Sequence, residues 1–151
     1  MLDGVRPFFW LREKKSMTIA VDAEPFFTLL GFHPEEVRPD FCRMRMPFKP
    51  ELQQAGGLVH GGAIASLMDS AAVFAIKATA DSEITQVPTI SMTVNYLAPA
   101  QKIDLVAEAR VIRRGRSIVF SDVEVLAPDN SLIAKAQIVC KLTAIKKSRA
   151  N

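Results

Sequence analysis

Residues 61 to 80 carry Ile64, Leu67, Met68, Ala71, Ala72, Ala75 and Ile76 at helical spacing, and Val73 and Phe74 extend that apolar surface nearly all the way round. A helix without a broad polar face cannot lie on a surface; other structure has to wrap it. The rest of the chain is suited to wrapping. After Pro88, Ile90, Met92, Val94 and Tyr96 alternate with Thr89, Ser91, Thr93 and Asn95, the period of a half-buried strand, and Pro99 ends it. Residues 103–113, 117–126 and 132–145 read as three more strands, turning at Arg114-Gly115 and at Pro128-Asp129-Asn130. Ahead of the long helix, residues 41–48 alternate Cys42, Met44 and Met46 against Arg43 and Arg45, and Pro47 and Pro50 close that strand. A short helix is expected from Glu24 to Leu30, with Pro25 in its first turn and Gly31 at its end, and His33 falls in a loop. A strand, a long central helix and an antiparallel meander make an α+β layout, a sheet wrapped on one helix.

The 151 residues fit one domain. Its expected limits are 21–146, with an extension over 1–20 and a tail over 147–151. The extension combines Phe8-Phe9-Trp10 with Arg12, Lys14 and Lys15. Its apolar run is too short and interrupted for a secretory signal, and no stretch is long enough to span a membrane. A mean hydropathy of +0.16 is high for a soluble monomer and points to apolar surface buried against another subunit. Cys42 and Cys140 stand in alternating apolar stretches, form no disulfide framework or metal spacing, and read as buried thiols of a cytoplasmic protein. A net charge of +3 is too small to argue for nucleic acid but suits a small anionic ligand if the arginines gather locally.

Four of the seven glycines fall at 56, 57, 61 and 62, just ahead of the long helix. They permit a tight turn or a close approach, and free N–H groups at a helix start favour a carbonyl oxygen, an oxyanion or a phosphate. Asp69 stands among Ala65, Leu67, Met68, Ala71, Ala72 and Val73, where a carboxylate is costly without a partner or a task. Ser66, Ser70 and Lys77 share its side of the helix, so the acid is either paired there or is a base or nucleophile. His60 precedes the helix by one residue, and a lone histidine is more often a hydrogen-bonded structural residue than a catalyst. His60 and Asp69 suggest no third ligand, so no metal is expected, nor any cofactor. Arg113, Arg114 and Arg116 flank Gly115 in a basic hairpin tip, either solvated or a clamp for phosphate.

The stretch from Gly57 to Ala71, which reads GLVHGGAIASLMDSA, resembles the signature of the PaaI-type hotdog acyl-CoA thioesterases. The likeness continues over Pro88 to Ala100 and over Ala109 to Arg116, and spans about residues 24–145. It implies the hotdog fold, an antiparallel sheet wrapped round one long helix. It also implies homodimers joined sheet edge to sheet edge, commonly paired into tetramers, with an acyl-CoA substrate at the seam. The resemblance carries to Gly61 the role of N–H donor to the thioester carbonyl and to Asp69 that of the carboxylate that activates water or attacks directly. Gln54 stands where the family often has Asn, and Thr89 matches a hydroxyl position; both would place water, with His60 bracing the loop. Gly62, Ser70, Val73, Arg113, Gly115 and Arg116 are expected to contact substrate, the last three near the CoA phosphates. Two rivals share the fold: a hydratase acting on enoyl- or hydroxyacyl-CoA, and a non-catalytic acyl-CoA-binding protein.

Overall fold

The structure is a computed structural model that describes residues 25–80 and 84–144. The aromatic and basic extension, Glu24 and the tail lie outside those residues. The elements run α1 (Pro25–Leu30), β1 (His33–Arg38), β2 (Phe41–Met46), a 3-10 turn (Pro50–Leu52), α2 (Gly61–Lys77), β3 (Ile84–Gln86), β4 (Thr89–Tyr96), β5 (Leu105–Arg114), β6 (Ile118–Leu126), β7 (Leu132–Lys141) and β8 (Thr143–Ala144). Six strands form one sheet in the order β1-β2-β5-β6-β7-β4, every neighbour antiparallel, and β3 pairs with β8. This is the α+β hotdog arrangement.

The sheet is one-sided. Met44 and Met46 of β2, Leu105, Ala107 and Ala109 of β5, Val119, Val123 and Val125 of β6, and Ala134, Ala136 and Ile138 of β7 are buried. So are Leu67, Met68, Ala71, Ala72, Ala75 and Ile76 of α2, which the sheet covers. Phe27 of α1 closes the remaining side of the helix, stacking on Phe74 at 5.2 Å and meeting Phe32 edge-on at 5.5 Å. The opposite face carries charge. Arg43 bridges Glu35 (3.0 Å) and Glu108 (2.5 Å), and Lys135 pairs with Glu124 at 2.9 Å. Phe41 survives among these charges because the Arg38 and Arg110 guanidiniums lie over its ring, 4.0 and 4.5 Å from its centre.

Four expectations need correcting. His33 opens β1 rather than lying in a loop; HPEEVR has no apolar alternation because β1 is an edge strand with mostly exposed side chains. The long helix ends at Lys77, and the final strand divides, with β7 stopping at Lys141 before β8. Thr89 does not share a face with Ser91. A bulge between them sets Thr89 opposite Cys140 and Ser91 opposite Val139, which turns Thr89 toward α2. Beyond the bulge the alternation holds, with Met92, Val94 and Tyr96 opposite the buried Ile138, Ala136 and Ala134.

The other edge, β4, is open. Ile90, Tyr96 and Leu97 are each more than half exposed, whereas the apolar residues of the strands inside the sheet are mostly buried, with Ile112 close to the β5–β6 hairpin also exposed. Such an edge invites another strand.

At its far end α2 is held by Arg114, whose guanidinium donates to the Ile76 carbonyl at 3.1 Å and to Asp40 Oδ1 at 2.5 Å. A cation there satisfies a terminal carbonyl and complements the helix dipole. Replacing Arg114→Met should lower stability by about 1–3 kcal/mol, read as a fall in the urea midpoint with an unchanged slope.

Candidate active site

The start of α2 is built by the glycine turn. Gln54 N–H donates to Leu58 O (2.9 Å) and Gly57 N–H to Gln54 O (2.9 Å), with Gly57 at a φ of 81° that favours glycine. Val59 N–H donates to Ala100 O at 2.8 Å and His60 N–H to Leu52 O at 2.7 Å, which fixes the turn to the segment after β4 and to the 3-10 turn. His60 is the N-cap of α2, and its Nδ1 accepts from the Gly62 N–H at 2.9 Å. The Ala63 and Ile64 amides reach the His60 carbonyl at 2.9 and 3.2 Å. That leaves the Gly61 N–H as the one amide of the first turn with no acceptor among the described residues. It borders an open groove of about 500 Å³ lined by Gln54, His60, Gly61, Ile64, Tyr96 and Leu97 among others.

Asp69 lies two turns further along, partly exposed. Its Oδ1 accepts from the Thr89 hydroxyl at 2.6 Å, and Thr89 Oγ1 is also 3.7 Å from Cys140 Sγ. The acid is therefore paired with a hydroxyl. Lys77 is eight residues beyond it on the same helix, an axial rise of about 12 Å. Ser66, the other polar neighbour, turns its hydroxyl back to the Gly62 carbonyl at 2.8 Å.

One chain thus holds two separate candidate half-sites. The first brings together Gln54, His60, Gly61 and Gly62; the second brings together Asp69 and Thr89. From Gly61 to Asp69 the helix rises about 12 Å, so one carbonyl carbon cannot meet both. Ser70 is buried and Val73 partly buried on α2. Arg113, Gly115 and Arg116 are exposed at the β5–β6 hairpin, where a side chain on Gly115 would strike the Ile118 carbonyl at 2.9 Å. Arg114 opposes Val119, Val119 opposes Cys140 and Cys140 opposes Thr89, so the hairpin is three strands, roughly 14 Å, from the Asp69 pair. Tyr96 is a site residue that alternation alone did not single out. Its hydroxyl donates to Gly61 O at 2.9 Å, a contact across 35 residues that no local pattern signals.

A model of the thioesterase superfamily matches residues 56–134, just over half of the chain. The chain belongs to that superfamily. It is a hotdog thioester hydrolase. A candidate esterase of Halobacterium salinarum is 32% identical over 119 residues, covering 76% of this chain and 78% of that one. Two solved structures share the fold. A thioesterase from Haemophilus influenzae superposes with a TM-score of 0.77 at 20% identity, covering 83% of this chain and 87% of that one. The PaaI protein of the E. coli phenylacetic acid degradation operon superposes at 0.75 and 18%, covering 82% and 87%.

No cluster of three or more His, Cys, Asp or Glu side chains suited to a metal ion occurs among the described residues, and no described helix is long and apolar enough to cross a membrane. The thiols of this thioesterase are unsuited to nucleophilic work. Burial, with Glu36 adding to it, pushes the Cys42 thiol up to about 12. Burial also raises the Cys140 thiol, against the bond from Thr89 and with the Asp69 charge adding to the rise. Because the thiolate is the reactive form, iodoacetamide at pH 8 should label neither cysteine in the folded protein and both in urea, as read by intact mass.

Proposed function

We propose that this thioesterase hydrolyses acyl-CoA thioesters at a site made by two copies of the chain, Gly61 from one facing Asp69 from the other. The observation that carries this reading is the separation of the two half-sites along α2 beside an open, apolar β4 edge. Thr89 meets Asp69 and Tyr96 meets Gly61, so β4 runs alongside the stretch of α2 that separates them. An antiparallel β4–β4 seam centred on Met92 or Thr93 would set each Asp69 opposite the Gly61 of the other copy. The charged outer face of the sheet is a poor alternative seam, since its ion pairs are already made.

In this reading the Gly61 N–H donates to the thioester carbonyl and stabilises the oxyanion that forms there. Asp69 takes the proton of a water held by Thr89 and Gln54, hydroxide adds to the carbonyl carbon, the C–S bond breaks, and the proton leaves with the CoA sulfur. The Thr89 bond supports the role of base, because it occupies Oδ1 and leaves Oδ2 for the water. His60 braces the loop through the Gly62 amide. Leu58, Ile64, Leu97 and Pro99 in the groove wall suit an apolar arm, Gly62, Ser70 and Val73 border its path, and Arg113 and Arg116 at the Gly115 hairpin suit phosphate. Among the described residues, no ion pair occupies either guanidinium.

Asp69→Asn should lower kcat by about 10²-fold or more, followed as free-thiol release from acetyl-, hexanoyl-, benzoyl- and phenylacetyl-CoA. Near wild-type turnover by that variant would sink the assignment. Single cysteines placed from 90 to 95 in a background lacking Cys42 and Cys140 should cross-link between copies most readily at 92 or 93. Cross-linking at none of these positions would put the seam elsewhere.

A further inference from the structure

We propose that Tyr96 is a positioning residue that aims the Gly61 N–H into the groove, so that the strength of the carbonyl donor is set from β4 rather than from α2 alone. This rests on the reading above that Gly61 is that donor.

Two consecutive glycines open α2, and glycine backbone has the widest conformational freedom of any residue. An N–H donor on such a segment is useful only if the peptides around it are held. The Gly61–Gly62 peptide is held at both ends. Its carbonyl accepts from Tyr96 Oη at 2.9 Å, and its N–H donates to His60 Nδ1 at 2.9 Å. The preceding His60–Gly61 peptide is held on its carbonyl side by the Ala63 and Ile64 amides at 2.9 and 3.2 Å. With the planes on both sides of the Gly61 Cα pinned, its dihedral angles have little room, and the N–H direction is fixed.

The packing shows the same fit. A Cβ on Gly61 would lie 3.2 Å from Tyr96 Cζ and 3.3 Å from its oxygen, tighter than ordinary contact. Glycine at 61 thus serves the approach of the tyrosine. Tyr96 is itself about half exposed in the single chain and lines the groove, so it is not held there by burial; the hydroxyl bond has a separate purpose. Thr89 and Tyr96 are the two ends of β4. One strand therefore orients the acid of one half-site at one end and the donor of the other half-site at the other.

Tyr96 is the only tyrosine in the chain, which makes its hydroxyl individually addressable. In Tyr96→Phe, kcat for the best-hydrolysed CoA ester of the panel should fall about tenfold or more, with KM within twofold and the oligomeric state unchanged by light scattering. The Gly62 amide of ¹⁵N-labelled Tyr96→Phe protein should exchange with solvent faster. Replacing the tyrosine with 3,5-difluorotyrosine, which keeps the ring and is suitable even where Tyr96→Phe folds poorly, supplies the decisive profile. There kcat should decline as pH rises through the ionisation of that phenol, because a phenolate cannot donate to Gly61 O, and the decline should track the phenolate absorbance. Unchanged kcat and amide exchange in Tyr96→Phe, or a rise in KM alone, or a fluorotyrosine profile matching the wild type, would overturn the proposal. If the wild type hydrolyses none of the panel, the acyl-CoA reading fails on its own, and the Gly62 exchange rate still decides whether Tyr96 holds this peptide.

Discussion

The apolar surface of α2 is the constraint on which the rest of the structure depends. Leu67, Met68, Phe74 and Ile76 are buried almost completely. At about 1.5–3 kcal/mol for each such side chain, their transfer alone is worth roughly 10 kcal/mol, the scale of a whole domain's net stability. No loop could supply that cover. A twisted antiparallel sheet can, and the alanines at 107, 109, 134 and 136 on its inner face leave room for the helix to lie close. The larger inner residues are Met44 and Met46 in β2, Leu105 in β5, Val119, Val123 and Val125 in β6, and Ile138 in β7. The charged outer face follows from the same requirement, since a sheet with one side spent on the helix has only the other for water.

The cover is uneven, and the site lies where it thins. Asp69 is tolerable on this helix because it points to the side where β4 leaves it partly exposed and where Thr89 supplies a hydroxyl. A carboxylate at 68 or 72, both fully buried, would have neither. The first turn shows a related economy. A helix start leaves four amides to satisfy; His60 answers three of them, through its ring and its carbonyl, and Gly61 is left over. An unpaired amide next to a groove is a donor waiting for an oxygen, and the cost of leaving it unpaired is small because the position is not deeply buried.

Much of this was legible in the sequence because periodicity reports burial. β2, β5, β6 and β7 carry a clear inner and outer side, α2 is apolar nearly all round, and each was placed within a few residues. β1 was missed for the same reason, since HPEEVR buries little and so has no pattern to read. The face of Thr89 was misassigned because a bulge adds one residue without marking itself in the side chains; strict alternation then carries every residue ahead of it to the wrong side. Gly61 and Asp69 stood out as glycine crowding and as an acid on an apolar helix. Tyr96 did not, because an aromatic residue at the end of a strand looks like core until the partner of its hydroxyl is known.

The edge left open by β4 connects these points. A sheet that wrapped α2 completely would bury Ile90, Met92, Tyr96 and Leu97, pair the strand edge, and close off both half-sites. Leaving it open exposes apolar side chains and unpaired backbone groups, a liability that a lone chain would be expected to blunt with lysine or proline. The strand from Thr89 to Tyr96 carries neither. Its polar residues are Ser, Thr and Asn, compatible with a buried strand pairing, and its two ends grip Asp69 and Gly61. In the proposed reading, the same eight residues serve as the adhesive edge and as the frame for both halves of the chemistry. On that proposal, substitutions along β4 act on assembly and on catalysis together, and only those that remove one atom, such as the Tyr96 hydroxyl, separate the two.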